Sequence, residues 1–369
     1  MKRILNYFKR EVVLTVALLA ALASFLLVPP GEHTLAGIDT TTLLMLFSLM
    51  AIVAGFRHMG AFDKLAGAVT SRIHALRGLA MALTAGCFLL AMVATNDVAL
   101  ITLVPFTILL MAGAEMKHLT LAVVLETIAA NLGSMVTPIG NPQNLYLYSS
   151  GQLDALDFPV LTWPYAALAF ALLMGCCLLI PKVEVQPVAA SGKELPARKF
   201  GLYGALTLLA LLTLAKVVPA WLLAAAVLVL VLLLDREVLR QVDYTLLMTF
   251  VCFFVFVASV KEYAPIRIWL EAQMANAPML VSLLVSQVIS NVPACLLLSP
   301  FTQDVPALML GVNIGGLGTL VASLASLISF RLYGAAEGAR RRRFMMVFTG
   351  LNAVFLAAML GMAWVMGAV

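Results

Sequence analysis

The sequence predicts an all-α polytopic membrane protein made of two inverted-topology repeats, each with a re-entrant helical hairpin and a broken transmembrane helix. Three observations carry that expectation: a composition that only lipid can solvate, a succession of apolar runs of spanning length, and matched polar motifs in the two halves. Hydrophobic residues make up 63% of the 369 and charged residues 11%, against about 45–50% and about 25% in soluble domains. The net charge of +5 does not point to nucleic acid. The basic residues sit in short clusters between apolar runs, where they set topology.

The first apolar run, 11–28, follows Lys2, Arg3, Lys9 and Arg10 and reads as an uncleaved span rather than a secretory leader. With 40–56, 119–150, 158–180, 201–217, 219–234, 244–260, 305–329 and 344–367 it predicts nine crossings of a hydrocarbon core about 30 Å thick. The runs 78–113 and 277–300 are interrupted by polar residues and proline and read as hairpins that enter and leave from one side. Non-helical backbone survives at membrane depth only where protein or a wet cavity satisfies it. With the N-terminus cytoplasmic, all of the 23 Lys and Arg except Lys216, Lys261 and Arg267 fall on the cytoplasmic side, Arg57 and the run Arg340 to Arg343 included. The C-terminus is then periplasmic or extracellular.

Residues 131–144, NLGSMVTPIGNPQN, match 313–326, NIGGLGTLVASLAS, at a constant offset. Upstream, 38–56 resembles 242–260, and the tip Thr95-Asn96-Asp97 corresponds to Ser290-Asn291-Val292. The chain therefore divides into a first repeat, 1–180, a cytoplasmic linker, 181–200, and a second, inverted repeat, 201–369. Hairpin 78–113 and broken helix 119–150 belong to the first, hairpin 277–300 and broken helix 305–329 to the second.

Each break combines helix stoppers with glycine: Pro138 and Pro142 in the first, Gly315, Gly316 and Gly318 in the second. A broken helix frees N–H groups that suit an anion and carbonyls that suit Na⁺. Side chains near the breaks and tips form the candidate substrate site: Asn96, Thr137, Asn141, Asn144, Asn291, Thr319, Ser323 and Ser326. Cation or proton coupling is assigned to Thr95, Asn96, Asp97, Glu126, Gly140, Ser290 and Asn291, with Na⁺ at Thr95, Asn96, Ser290 and Asn291. Asp97 stands out, because a carboxylate at membrane depth costs roughly 2.5–3.5 kcal/mol on insertion scales and so recruits a cation, a proton or water. Its counterpart is the apolar Val292. Glu126 is a second ionisable candidate, or else a solvated residue of a cytoplasmic vestibule. No Lys or Arg is expected at the central site.

The five cysteines, Cys87, Cys176, Cys177, Cys252 and Cys295, lie in apolar runs and read as small core residues. The histidines, His33, His58, His74 and His118, are dispersed, which argues against a metal site. No HExxH, GxSxG or GxxxxGK[ST] pattern occurs, so neither an intramembrane enzyme nor an ATP-driven pump is expected from this chain.

TNDVALITLVPF at 95–106, NLGSMVTPIGNPQN at 131–144, SNVPACLLLSPF at 290–301 and NIGGLGTL at 313–320 resemble the ion transporter superfamily of divalent anion/sodium symporters, arsenite permeases and NhaD-type antiporters. In the dicarboxylate branch both tips read Ser-Asn-Thr. The resemblance implies that Ser and Asn of each tip, with backbone of the broken helix, hold Na⁺ while Asn and Thr touch the carboxylate. Here the asparagines carry over as Asn96 and Asn291, and the final Thr is replaced by Asp97 and Val292. That replacement is closer to the arsenite permease branch or to small permeases described as anion or citrate carriers. The expectation is a secondary transporter moving a small carboxylate or inorganic oxyanion across the inner membrane by alternating access, coupled to Na⁺ or H⁺. The alternative is a cation/proton antiporter or arsenite-type efflux permease that uses Asp97. The expected partners are a small anion, membrane lipid and, from the resemblance, a second copy in a homodimer; no nucleic acid and no cofactor beyond the coupling ion are expected.

Overall fold

The computed structural model describes residues 11–62, 64, 68, 73–184 and 195–368. The basic residues at positions 2–10, Arg72 and linker residues 185–194 lie outside them. Strong helix formers and long apolar runs give helices throughout. The first half runs α1 (Val12–Ser24), α2 (Glu32–Ala36), α3 (Thr40–His58), the hairpin α4 (Leu76–Ala94) and α5 (Asn96–Leu110), the broken pair α6 (Met116–Ser134) and α7 (Pro142–Ser149), and α8 (Asp157–Cys177). The second runs α9 (Ala197–Leu214), α10 (Ala220–Leu234), a 3₁₀ turn (Arg236–Gln241), α11 (Tyr244–Glu262) and α12 (Ala264–Asn276). It ends with the hairpin α13 (Pro278–Ile289) and α14 (Asn291–Leu298), the broken pair α15 (Val305–Ile314) and α16 (Leu324–Gly334), and α17 (Arg341–Val365).

The order helix, hairpin, broken helix thus occurs twice. Its local causes also repeat. Asp39 caps α3 by accepting the Thr42 N–H at 3.0 Å, and Asp243 caps α11 by accepting the Leu246 N–H at 2.9 Å. Where α6 crosses the hairpin arm α4, a Cβ on Gly133 would lie 2.3 Å from the Phe88 carbonyl oxygen. In the second half a Cβ on Gly315 would lie 3.0 Å from the Leu283 Cα. Glycine at both crossings lets broken helix and hairpin touch backbone to backbone.

Six helices are individually long and apolar enough to cross a membrane among the described residues: 32–58, Leu76–Ala94, Asp157–Cys177, Ala197–Leu214, Tyr244–Glu262 and Arg341–Val365. The runs 119–150 and 305–329 are each divided, as expected of broken helices, whereas α1 and α10 are shorter than a full span, with 13 and 15 residues. The first hairpin also differs from expectation. Its arm α4 has 19 residues, about 28 Å at 1.5 Å per residue, so it has the length of a complete span, whereas α13 has 12. The difference arises because the first run is the longer, with 78–94 ahead of its tip against 277–289 in the second.

A smaller core joins α9 and α10 to α3, with Tyr203 against Gly55. At its end the buried Asp235 accepts hydrogen bonds from Lys199 Nζ at 2.9 Å and Tyr203 Oη at 3.1 Å, with His58 Nδ1 at 3.5 Å. Burial opposes ionisation of Asp235; the hydrogen bonds from Lys199 and Tyr203 and the nearby charges of Lys199 and His58 outweigh it and hold the carboxyl below its ordinary value. A depressed carboxyl contributes stability above its unfolded-state value, near 4, that is lost as pH falls through the folded-state value. Asp235→Asn should therefore lower the melting temperature of the detergent-solubilised protein at neutral pH. The gap to the wild type should close as the pH is taken below about 4.

Candidate functional site

Both hairpins turn on a single residue in the left-handed half of backbone space: Thr95 at φ 76° and ψ 151°, Ser290 at φ 77° and ψ 155°. This conformation costs of order 1–3 kcal/mol for a residue with a side chain, so the surroundings must enforce it. They do so identically. The N–H of Asn96 donates to the Gly140 carbonyl at 3.0 Å, and that of Asn291 to the Ala322 carbonyl at 2.9 Å. Each asparagine Oδ1 then accepts the next N–H, of Asp97 or of Val292, at 2.9 Å. Thr137 donates its hydroxyl to the Met92 carbonyl, and Thr319 to that of Gln287 at 3.0 Å. Each tip is thereby sewn to the break of its own half.

Gly140 matters for a steric reason. A Cβ there would lie 2.0 Å from the Ser134 carbonyl oxygen, whereas Ala322 occupies the corresponding place in the second half. Gly140→Ala is expected to cost about 3 kcal/mol through backbone displacement and to lower the melting temperature of the purified protein; Ala322→Gly should cost less than about 1 kcal/mol.

The two breaks also reach into each other. Asn313 Oδ1 accepts from Asn141 Nδ2 at 2.9 Å, and Asn313 Nδ2 donates to Asn144 Oδ1 at 2.8 Å. In the mirrored direction Asn131 Oδ1 accepts from Ser323 Oγ at 2.9 Å, and Asn131 Nδ2 donates to Ser326 Oγ at 3.4 Å. Asn141 in addition caps α7 by accepting the Asn144 N–H at 2.9 Å, ahead of Pro142 at the first helical position. Asn144, Ser323 and Ser326 are thus enclosed in this interlock. Asn131 and Asn313, matched residues of the two breaks, carry it.

A cavity of about 120 Å³ opens beside the first tip. Of the expected site residues Thr95, Asp97 and Asn141 line it, while Asn96, Gly140, Asn144, Ser290, Asn291, Ser323 and Ser326 do not. Thr137 is half-buried outside it and Thr319 is exposed. Asp97 sits in the first turn of α5, where the positive end of the helix favours a carboxylate. Across the cavity stand Arg57, at the end of α3, with Gln241 and Asp243. Arg57 corrects the expectation of a centre without Lys or Arg: the last turn of α3 carries it into the cavity, where its Nη2 donates to Gln241 Oε1 at 3.4 Å. The signal was present, since the match of 38–56 with 242–260 extends by one residue to Arg57 and Lys261.

Glu126 is fully buried, which excludes a solvated vestibule position. One carboxyl oxygen accepts the Thr107 hydroxyl and the other has no hydrogen-bond partner among the described residues. No cluster of three or more His, Cys, Asp or Glu that suits a metal ion occurs among the described residues.

Helices of spanning length around two polar breaks and an acid-lined cavity define a multi-pass membrane transporter rather than an enzyme. The chain belongs to the citrate transporter family CitMHS, whose sequence profile matches residues 4–309. It is 33% identical over 308 residues to the inner membrane protein YbiR of Escherichia coli, covering 80% of this chain and 81% of that protein. It is 30% identical over 299 residues to the uncharacterized transporter MJ0456 of Methanocaldococcus jannaschii, at the same coverage of 80% and 81%. The silicon efflux transporter LSI3 of Oryza sativa matches at 27% over 177 residues, 46% of this chain and 36% of LSI3. In fold, the chain is similar to the YdaH transporter of Alcanivorax borkumensis, with a TM-score of 0.57 and 12% identity over 91% of this chain and 88% of that one.

Proposed function

We propose that this protein is a secondary active transporter of a small anion, a carboxylate or an inorganic oxyanion, coupled to Na⁺ or H⁺ and working by alternating access between inverted repeats. The single observation that carries this reading is the cavity where Asp97 and the freed backbone of the first break meet Arg57. A carboxylate there offers a cation or a proton a place, and Arg57 with the positive start of α5 offers an anion one. Thr95, Asn96, Ser290 and Asn291 supply the neutral oxygens for Na⁺, with Gly140 backbone behind the first tip. Asn141, on the cavity wall, lies nearest the substrate; Thr137 and Thr319, beside the tips, join it from outside the present cavity, and Asn144, Ser323 and Ser326 only in a state where the interlock opens. Glu126, with an unpartnered oxygen, is the second place for a proton. The protein works in the inner membrane with its N-terminus cytoplasmic, as a homodimer.

The test is uptake into proteoliposomes of citrate, other carboxylates, arsenite and silicate under imposed Na⁺ or H⁺ gradients. Accumulation of at least one anion that follows one gradient is the expected result; gradient-independent behaviour across the whole panel would overturn the proposal. A second reading, efflux of a small oxyanion or neutral oxyacid, draws on the partial match to a silicon efflux transporter. It predicts the same gradient dependence in everted vesicles with silicate or arsenite as cargo.

A further inference from the structure

A second cavity, of about 180 Å³, lies between the opposite ends of the same two helices: the start of α3 and the end of α11. It is lined by Gly37, Asp39, Tyr146, Phe254, Val257 and Lys261 among others. Its residues stand at a constant offset of 204 from those of the Asp97 cavity: 39 to 243, 53 to 257 and 57 to 261. The two cavities are therefore the same construction built twice. Each has an aspartate at a helix start and a cation at a helix end. Asp39 spends its charge on capping α3, accepting the N–H of Thr42 at 3.0 Å and its hydroxyl at 2.6 Å, and Asp243 caps α11 by accepting the N–H of Leu246 at 2.9 Å. Arg57 and Lys261, in contrast, have no ion-pair partner among the described residues. Each cavity thus holds one cation outside any ion pair, four residues along its helix from a matched valine, Val53 or Val257, and in the first cavity Asp97 shares the lining with it. The first cavity alone holds an acid from its hairpin tip, Asp97; Val292, the sequence counterpart of Asp97, does not line the second.

We propose that these are two symmetry-related vestibules on opposite faces of the membrane, and that Arg57 and Lys261 are the residues that admit small anions, carboxylates or oxyanions, from the cytoplasmic and the outer face respectively. The inference rests on the anion-transport reading but adds a site to it, the outer vestibule at Lys261. A basic residue at a helix end also complements the helix dipole without any ligand, so the decisive observable is the charge preference inside the cavity.

Val53→Cys and Val257→Cys, each in the full-length chain, are labelled in sealed right-side-out and inside-out vesicles. The probes are the anionic sulfonatoethyl and the cationic trimethylammonium-ethyl methanethiosulfonates, with the native cysteines as baseline. Residues four apart on a helix are about 6 Å apart, and a unit charge at that distance in water shifts the two probes by about 0.7 kcal/mol in opposite directions, which changes the ratio of anionic to cationic labelling about tenfold at low ionic strength. The expected result is that Cys at 257 labels from the outer face and its ratio falls about tenfold with Lys261→Gln but not with Arg57→Gln. Cys at 53 labels from the cytoplasmic face and responds only to Arg57→Gln. Lys261→Arg and Arg57→Lys restore the ratios. Ratios that ignore the local cation, or both positions labelling from one face, would overturn the proposal. Uptake is a separate readout: responsive ratios without anion uptake would refute the transport reading and leave the vestibules standing.

Discussion

Asp97→Asn is expected to uncouple transport: substrate movement down its own gradient persists, while accumulation driven by a Na⁺ or H⁺ gradient falls by on the order of a hundredfold. A charge pair at about 4 Å in a partly desolvated site interacts by about 4 kcal/mol at an effective dielectric constant of 20, and each 1.4 kcal/mol is a factor of ten in affinity. After about a third of that energy is lost to desolvation, a hundredfold loss of cation affinity remains. Asparagine keeps the shape and the helix start but accepts no proton and carries no charge. Because Asp97 faces the cavity rather than the packed interlock, the variant should fold as the wild type does. Val292→Thr, which changes the matched buried position without adding charge, should leave coupling intact. Proteoliposome uptake with and without the gradient measures both. If Asp97→Asn kept full accumulation and the same pH dependence, Asp97 would not be the coupling group, and Glu126, buried beside Thr107, would take its place.

The tips, the breaks and their order were legible in the sequence because they are local: a polar residue pair, proline and glycine within an apolar run permit few structures in lipid. Thr95 and Ser290 take the same unusual backbone angles, and Asn96 and Asn291 the same bonds, as the match of their sequences implied. What joins the halves was not legible. The three matched segments stand at different offsets, 182 for the breaks (131 to 313), 195 for the tips (95 to 290) and 204 for the preceding helices (39 to 243), because the connecting segments differ in length. A reading segment by segment finds each pair but not which pairs meet. Asn131 and Asn313 were visible as equivalent residues, yet that each bonds the other half's break follows only from how the breaks cross. Arg57 looked like one more topogenic cation, since sequence does not show that the last turn of α3 points it inward. Glu126 could be read either as an ionisable coupling residue or as a vestibule residue, because depth along a helix says nothing about which side is covered.

Asn313→Ala is expected to destabilise the protein by about 2–4 kcal/mol, and Asn131→Ala by about 1–2 kcal/mol, although the two residues are symmetry mates. A buried polar group left without a partner costs about 1–3 kcal/mol, so the orphans decide the ranking. Removing the Asn313 amide takes from Asn144 Oδ1 its sole donor among the described residues, at 2.8 Å, and from Asn141 Nδ2 its shorter acceptor, leaving Ser134 Oγ at 3.1 Å. Removing the Asn131 amide frees the Ser323 hydroxyl, bonded at 2.9 Å, but otherwise breaks only contacts of 3.4 Å to Ser326 and the Gly316 carbonyl. Thermal or denaturant unfolding of the two variants in the same detergent ranks them, and a double-mutant cycle of Asn313→Ala with Asn144→Ala should return a coupling of about 1–2 kcal/mol. Equal losses in the two variants would mean that the interlock acts as one network and that the difference in bond lengths carries no energy. The ranking bears on transport as well. In the alternating-access cycle proposed for this protein, halves that rock past one another break the interlock once per cycle, and its tighter, Asn313 side would then belong to the barrier that holds the Asp97 cavity in its present state. Loosening that side should speed exchange of the substrate as it lowers stability, and loosening the Asn131 side should do less of both.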